Sequence, residues 1–250
     1  MAGAGNISWH LAKALHSCGF RITGIWSKDY TNAVSLAASC EATPIPDISS
    51  LRDGADLIII AVPDNAIAEV ARKIGQFEGI IVHTAGSVHL DVFASSFNKY
   101  GVLYPLQTFS KEIALEMAEV PVFLEASDTE TMQSIKEVAL KLSQKIYETN
   151  SNQRLKLHVA AVFAGNYSNV LYTISNKILG DMHFPREVLH PLISATASKA
   201  LKNDPLLMQT GPARRNDIIT LDKHLAVLAS YPEYAELYRL LANLIRENYI

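Results

Sequence analysis

Residues 57–65 read Leu-Ile-Ile-Ile-Ala-Val-Pro-Asp-Asn. A continuous apolar run of strand length, stopped by proline, is the pattern of a strand buried on both faces of a parallel sheet. Asp64 then suits a helix N-cap, and Ile67, Val70, Ala71 and Ile74 follow at helical spacing. Working outward, Arg21–Ser27, Gly79–Ala85, Gly101–Tyr104 and Val120–Glu125 also read as strands. Asn32–Cys40 reads as a short Ala-rich helix. Between Asp128 and Gln144, Met132, Ile135, Val138, Ala139 and Leu142 line one helical face. Strands alternating with helices over short connections predict βαβ units and a parallel sheet covered on both sides.

The pattern changes near residue 150. Nine of the 12 glycines precede it, and the first 150 residues carry 11 basic and 17 acidic groups against 11 and 8 afterwards. The later part reads as helix throughout: a long apolar helix over Gln153–Leu179, then Arg186–Leu201, Asp222–Ala229 and Pro232–Asn248, with a loop over Asn203–Asp217. Residues 1–150 are therefore expected to form an α/β domain and 151–250 an all-helical one. A helix apolar almost all round belongs in an interior or between subunits, so a homodimer through the helical domain is expected.

Composition excludes several classes. Of 250 residues, 22 are Lys or Arg and 25 Asp or Glu, a net charge of −3, without the basic runs of a nucleic-acid binder. No apolar run nears the ~20 residues of a bilayer span, and no secretory signal opens the chain. A cytoplasmic protein without a membrane or nucleic-acid partner is expected. Cys18 and Cys40 are too few for a disulfide framework and read as buried structural residues. The histidines show no metal-ligand spacing, and no GxSxG elbow is present.

Residues 3–8, Gly-Ala-Gly-Asn-Ile-Ser, precede an apolar helical pattern at Leu11, Ala12, Ala14 and Leu15. Gly3 and Gly5 fit the first two positions of the dinucleotide fingerprint, where a missing Cβ allows a tight turn and close approach of a pyrophosphate. Asn6 and Ile7 open the helix whose free N–H groups and positive dipole end would face that group. Ser8 replaces the third glycine and is small enough for close helix–strand packing. Only Met1 and Ala2 precede Gly3, whereas such a turn is launched by a strand of roughly 5–6 residues. The first strand is therefore expected to be truncated, with a few native residues missing from the start. Ser27 and Lys28 stand where an acidic residue would select NAD; a hydroxyl and an ammonium suit a 2′-phosphate and favour NADP, with NAD possible. Val62, Pro63 and Asp64 after one strand, and Thr84 and Gly86 after the next, fall where open α/β sheets bind ligands. Asp64 reads equally as a helix cap.

In order along nearly the whole chain, GAGN-x-x-x-x-L, AVPD-x-x-I, VHTAGSV, YPLQTFSK, HVAAVFAGNYSN and QTGPARRND together resemble a bacterial family of proposed NADP oxidoreductases. Its members have a Rossmann-like domain followed by a helical domain of unknown function, and are distantly related to pyrroline-5-carboxylate reductase and the 6-phosphogluconate dehydrogenase superfamily. The resemblance implies a nicotinamide-binding domain, a dimerising helical domain and a small-molecule substrate. The Lys and Asn four apart of that superfamily's hydroxyacid dehydrogenases do not occur here, since Ala160 follows Lys156 at that spacing.

His158 and Asn169 are 11 apart on the long helix, near three full turns, and Asn166 lies on an adjacent row. His158, with an unperturbed pKa near ~6.5, suits proton transfer beside hydride transfer, with Asn166 on the adjacent row as the second catalytic candidate and Asn169 toward substrate. The alternative is that these groups stitch helices together. Gln107 and Thr108 follow a strand and can hydrogen-bond a substrate or form an inert turn. Arg215 occupies the arginine of the family motif and can pair with a substrate carboxylate or phosphate, or with Asp217. The sequence thus points to hydride transfer on a small carbonyl or imine compound, or to a non-catalytic nucleotide sensor or scaffold.

Overall fold

The computed structural model describes residues 1–249. The chain divides into two compact units, Met1–Tyr167 and a second beginning at Ser168. No helix among the described residues is long and apolar enough to cross a membrane.

In the first unit, β1 (Gly24–Trp26) pairs in parallel with β2 (Thr43–Ile45), and β3 (Leu57–Ile60), β4 (Ile80–His83) and β5 (Tyr100–Pro105) are parallel neighbours. Residues 1–3 join these two groups. Ala2 bridges in parallel to both Trp26 and Ile60. Its N–H donates to the Ile59 carbonyl and its own carbonyl accepts from the Ala61 N–H, both at 2.8 Å. The Met1 carbonyl accepts from the Trp26 N–H at 2.9 Å and the Gly3 N–H donates to the Trp26 carbonyl at 2.7 Å. The first strand thus takes the form of a short rung between β1 and β3, and these buried backbone groups are paired, as burial requires.

The sheet is mostly rather than wholly parallel. β6 (Val122–Ala126) runs antiparallel to β5, with Val102 opposite Glu125 and Tyr104 opposite Phe123. The connection over 106–121 contains only a short 3₁₀ turn, and a parallel return needs a helical crossover. β7 (Ile146–Glu148), unforeseen in the sequence, pairs in parallel with β6.

Helices cover both faces. Ile59, Val82, Leu103 and Leu124 pack with Leu11 and Leu15 of α1 (Asn6–Ser17), Leu36 of α2 (Tyr30–Ala38) and Ile135 of α4 (Thr129–Leu142). Ile58, Ile60 and Ile81 pack on the other face with Ile67, Val70 and Ile74 of α3 (Ile67–Ile74) and with Phe93. Alternate residues of one apolar strand therefore feed two cores, the arrangement that its unbroken apolar run implies. Asp29 and Asp128 cap α2 and α4 by accepting from the Thr31 and Thr131 N–H groups. Cys40 is buried as expected, but Cys18 is exposed, its thiol donating to the Lys141 carbonyl at 3.0 Å.

The long helix is interrupted. α5 (Ser151–Ala161) begins with a capping box between Asn150 and Gln153 and runs into a π-helical turn at Val162–Tyr167; α6 (Ser168–Asp181) follows. Of the two places expected for this helix, the interior of the single chain is not where it lies: only Ser151 and Arg154 are buried along it, while Phe163 is 63% and Tyr167 52% exposed. Full burial is confined to the first turn, and His158 further along is half-buried.

The second unit continues with α7 (His190–Lys202), a short α8 (Pro205–Met208) inside the expected loop, α9 (Ile218–Val227) and α10 (Pro232–Tyr249). A small cluster of Ala213, Leu221 and Ala242, flanked by Tyr238 and Ile245, is its core.

Candidate functional site

The turn at the start of α1 is built from two glycines with different tasks. Gly3 has φ +111°, a region L side chains avoid, and a Cβ there would overlap the Ala61 carbonyl oxygen. Gly5 is the N-cap; it has extended backbone, no side-chain cap bond and no acidic residue in the first turn behind it. A Cβ at Gly5 would meet nothing within 4 Å. The helix start is therefore uncapped and unobstructed at Gly5, the arrangement that accommodates a phosphate. Ser8 is fully buried, its hydroxyl donating to the Ala61 carbonyl at 3.4 Å, so close helix–strand packing survives the missing third glycine. The Asn6 side chain is committed elsewhere and donates to the Phe109 carbonyl at 3.0 Å, tying the loop after β5 to this helix. Ile7 packs against the core. Ser27 is half-buried and Lys28 exposed, just beyond the carboxyl end of β1.

The loops after β3 and β4 meet beside this turn. Val62 is half-buried and Pro63 and Asp64 are exposed; the Ser87 hydroxyl donates to the Asp64 carboxylate. Thr84 is buried, its N–H donating to the Ile60 carbonyl at 3.2 Å. Gly86 lies beneath an imidazole: a Cβ added there would come within 2.6 Å of His158 Cγ. Backbone and ring approach this closely because residue 86 has no side chain.

His158 is the meeting point. The Tyr104 hydroxyl, near the carboxyl end of β5, stands 3.0 Å from His158 Nδ1, with the two rings edge to face. Burial, and then the nearby Asp64 carboxylate, push the Tyr104 hydroxyl up to about 12, so it stays protonated at neutral pH. A protonated phenol both donates and accepts, and can hold the ring whether the imidazole is neutral or charged. Beneath this pair lies a buried polar cluster. Arg154, one helical turn before His158, ion-pairs with Glu125 of β6, and Ser151 bonds the same carboxylate. His83 is buried too; its Nδ1 accepts from the Ala85 N–H at 3.1 Å. Burial first, and then the Arg154 charge, push His83 down to about 3.

Other sequence candidates take varied places. Gln107 folds back, its Oε1 accepting from the Thr108 N–H at 2.7 Å. A Cβ at Gly165 would lie 3.2 Å from Thr108 Oγ1, so that hydroxyl borders the π turn on which Asn166 is exposed. In the second unit, Asn169 is exposed on α6 and its carbonyl accepts from the Thr173 hydroxyl. Arg215 is exposed; Asp217, which caps α9 by accepting from Thr220, is lowered chiefly by those bonds and further by the Arg215 charge. The π turn removes the regular 3.6-residue period on which a shared face of His158 and Asn169 depended.

Tyr104, Glu125 and Arg154 escaped the sequence reading as functional groups. Arg154 is four residues before His158, a spacing that puts both on one helical face. Glu125 is a charge at the end of an apolar strand. Both signals are visible only once His158 is taken as the reference.

Comparison with known proteins agrees with this architecture. A model of a domain of unknown function, DUF2520, matches residues 120–245. A proposed NADP oxidoreductase of Bacteroides fragilis is 40% identical and superposes with a TM-score of 0.94 over 98% of this chain and 96% of that one. At 16% identity, a reductive aminase of Aspergillus terreus, solved with NADPH and ethyl levulinate, shares the fold with a TM-score of 0.73 over 99% of this chain and 93% of that one. A pyrroline-5-carboxylate reductase of Coxiella burnetii, 14% identical, shares it at 0.58 over 100% and 97%. No curated protein matches. With the family model covering half its length, and a 40% identical relative aligned over nearly all of it, the chain belongs to the DUF2520 family.

Proposed function

We propose that the first unit binds NADP(H) at the glycine turn and that His158 is the proton donor and acceptor of a hydride-transfer reaction on a small carbonyl or imine compound. The observation that carries this reading is the Tyr104–His158 pair lying on Gly86, in the loop after β4. The close relative from Bacteroides fragilis and the NADPH-bound aminase support the choice of cofactor.

The residues present fit such a cofactor. The open space at Gly5 and the uncapped start of α1 suit a pyrophosphate. Ser27 and Lys28 supply a hydroxyl and a cation for a 2′-phosphate, and the loops at Val62–Asp64 and Thr84–Gly86 would hold the nicotinamide ribose. Bound there, the cofactor supplies or accepts a hydride. His158 does the complementary work: as imidazolium it donates from Nε2 to the oxygen or nitrogen that becomes hydroxyl or amine, keeping Nδ1–H toward Tyr104. In the reverse direction the neutral ring removes that proton. Asp64 places a negative charge near the pair and favours a protonated imine over an anionic substrate. Thr108, next to Gln107, borders the π turn that carries Asn166, and these groups are the proposed substrate contacts of the first unit.

The test combines NADPH fluorescence with a panel of small ketones, alone and with amines. NADPH binding is expected for wild type and for His158→Gln, turnover for wild type alone, and a roughly tenfold loss of NADPH but not NADH affinity for Lys28→Ala, the scale of one charge-assisted bond. Absence of dinucleotide binding overturns the proposal. Binding without oxidation across the panel favours a nucleotide sensor, and unchanged kcat in His158→Gln removes that residue from the chemistry.

A further inference from the structure

Resting on His158 as proton donor, we propose that the buried Arg154–Glu125 pair is a positioning device that fixes where this imidazole stands. Arg154 is fully buried. One end of its guanidinium donates to the Glu125 carboxylate and the other to the Val88 carbonyl, in the loop after β4. Ser151 completes the knot: its N–H donates to Glu125 at 2.8 Å, and its hydroxyl oxygen accepts from the Leu90 N–H at 3.0 Å.

Two successive turns of α5 are thereby tied to one loop. Arg154 holds Val88, and His158, four residues on, rests on Gly86. Glu125 faces Val102 across the β5–β6 register, and Tyr104 is two residues along from Val102, so Glu125 and Tyr104 project from the same face. The ion pair and the Tyr104 bond therefore brace one helix against neighbouring strands at two heights. The purpose of this arrangement is geometric. A buried ion pair is a weak stabiliser because desolvation offsets its attraction, and here the Arg154 Nε–H is also left without a partner. An apolar residue would fill the space at lower cost. Only a planar fork reaches a carboxylate and a carbonyl at once; a lysine ammonium keeps the charge and loses the second reach.

Arg154→Lys and Glu125→Gln test this, with NADPH affinity, kcat, KM and the ¹⁵N signals of the His158 imidazole as readouts. The expected result is kcat lowered tenfold or more, NADPH affinity within threefold of wild type, and a single His158 tautomer replaced by averaged ones. Combining Arg154→Lys with Tyr104→Phe should cost less than the product of the single losses, because both act through one ring. Folded variants with wild-type kcat and imidazole signals overturn the proposal. Should both single variants fail to fold, Arg154→Met with Glu125→Leu removes the two charges together, and wild-type kcat in that protein also overturns it. A wild type that neither binds NADPH nor turns over sinks the proposed function instead, and the imidazole spectra still decide the positioning.

Discussion

Tyr104 and His158, 54 positions apart in sequence, are joined at 3.0 Å between hydroxyl and Nδ1. The phenol holds the ring by one hydrogen bond and by an edge-on packing contact. Tyr104→Phe keeps the packing and deletes the bond, so its effect isolates orientation. One hydrogen bond contributes about 0.5–1.5 kcal/mol, so a kcat loss of roughly two- to tenfold is expected with NADPH affinity unchanged. Steady-state kinetics beside fluorescence titration check it, and an unaltered kcat would mean that the ring is oriented by its surroundings alone.

Gly86 supports the same imidazole from below. A methyl group there would lie 2.6 Å from His158 Cγ, inside van der Waals contact. The ring must shift, because Thr84–Gly86 are buried and Val88, two residues on, is held by Arg154. Gly86→Ala is therefore expected to lower kcat by about 10²-fold, the scale of an ångström-sized misplacement, and stability by about 1–3 kcal/mol through overpacking. Urea unfolding with single-turnover rates separates the two effects. A variant with normal kcat would show that His158 need not stand where it does.

These two relationships mark what the sequence could show. The Ile58–Ile60 run announced a strand buried on both faces, and Ile59 does pack opposite to its neighbours. Gly3, Gly5 and the helix behind them announced the turn, because positive φ and missing side chains leave a local trace. The antiparallel β5–β6 pairing left none: Val122–Leu124 is as apolar as a parallel strand, and only the missing crossover helix sets its direction. Nor did the π turn at Val162–Tyr167, whose residues continue an ordinary apolar pattern. The site was half legible for the same reason. His158 stood out as a polar group on an apolar helix, whereas Tyr104, Glu125 and Arg154 join it only through long-range packing.

His83 predicts a pH dependence of stability. Burial and the Arg154 charge hold it near 3 in the folded chain, against about 6.5 when unfolded. The unfolded chain therefore binds the extra proton between those values. The contribution is present above about pH 6.5 and is lost progressively as pH falls toward 3. Between pH 7 and 5 this amounts to about 2 kcal/mol. His83→Asn retains an acceptor for the Ala85 N–H but cannot titrate, so its urea midpoint should fall less than that of wild type over this interval. Parallel declines would show that His83 is not a determinant of acid sensitivity.

The second unit motivates a prediction about assembly. Neither α6 nor α7 has a buried residue, yet both expose large apolar side chains, Leu192 at 63% and Val170 at 50% among them. Helices of 14 and 13 residues are marginal in water without a packed face. A second copy of the chain is the partner we propose, since self-association would cover these faces on both molecules at once. Light scattering should then give about twice the 27.4 kDa chain mass at micromolar concentration, and Leu192→Arg should shift the protein toward one copy. An exposed position on a true monomer tolerates that substitution with little consequence. A wild-type mass of one chain, unchanged by Leu192→Arg, would therefore show that these helices stand without a second copy.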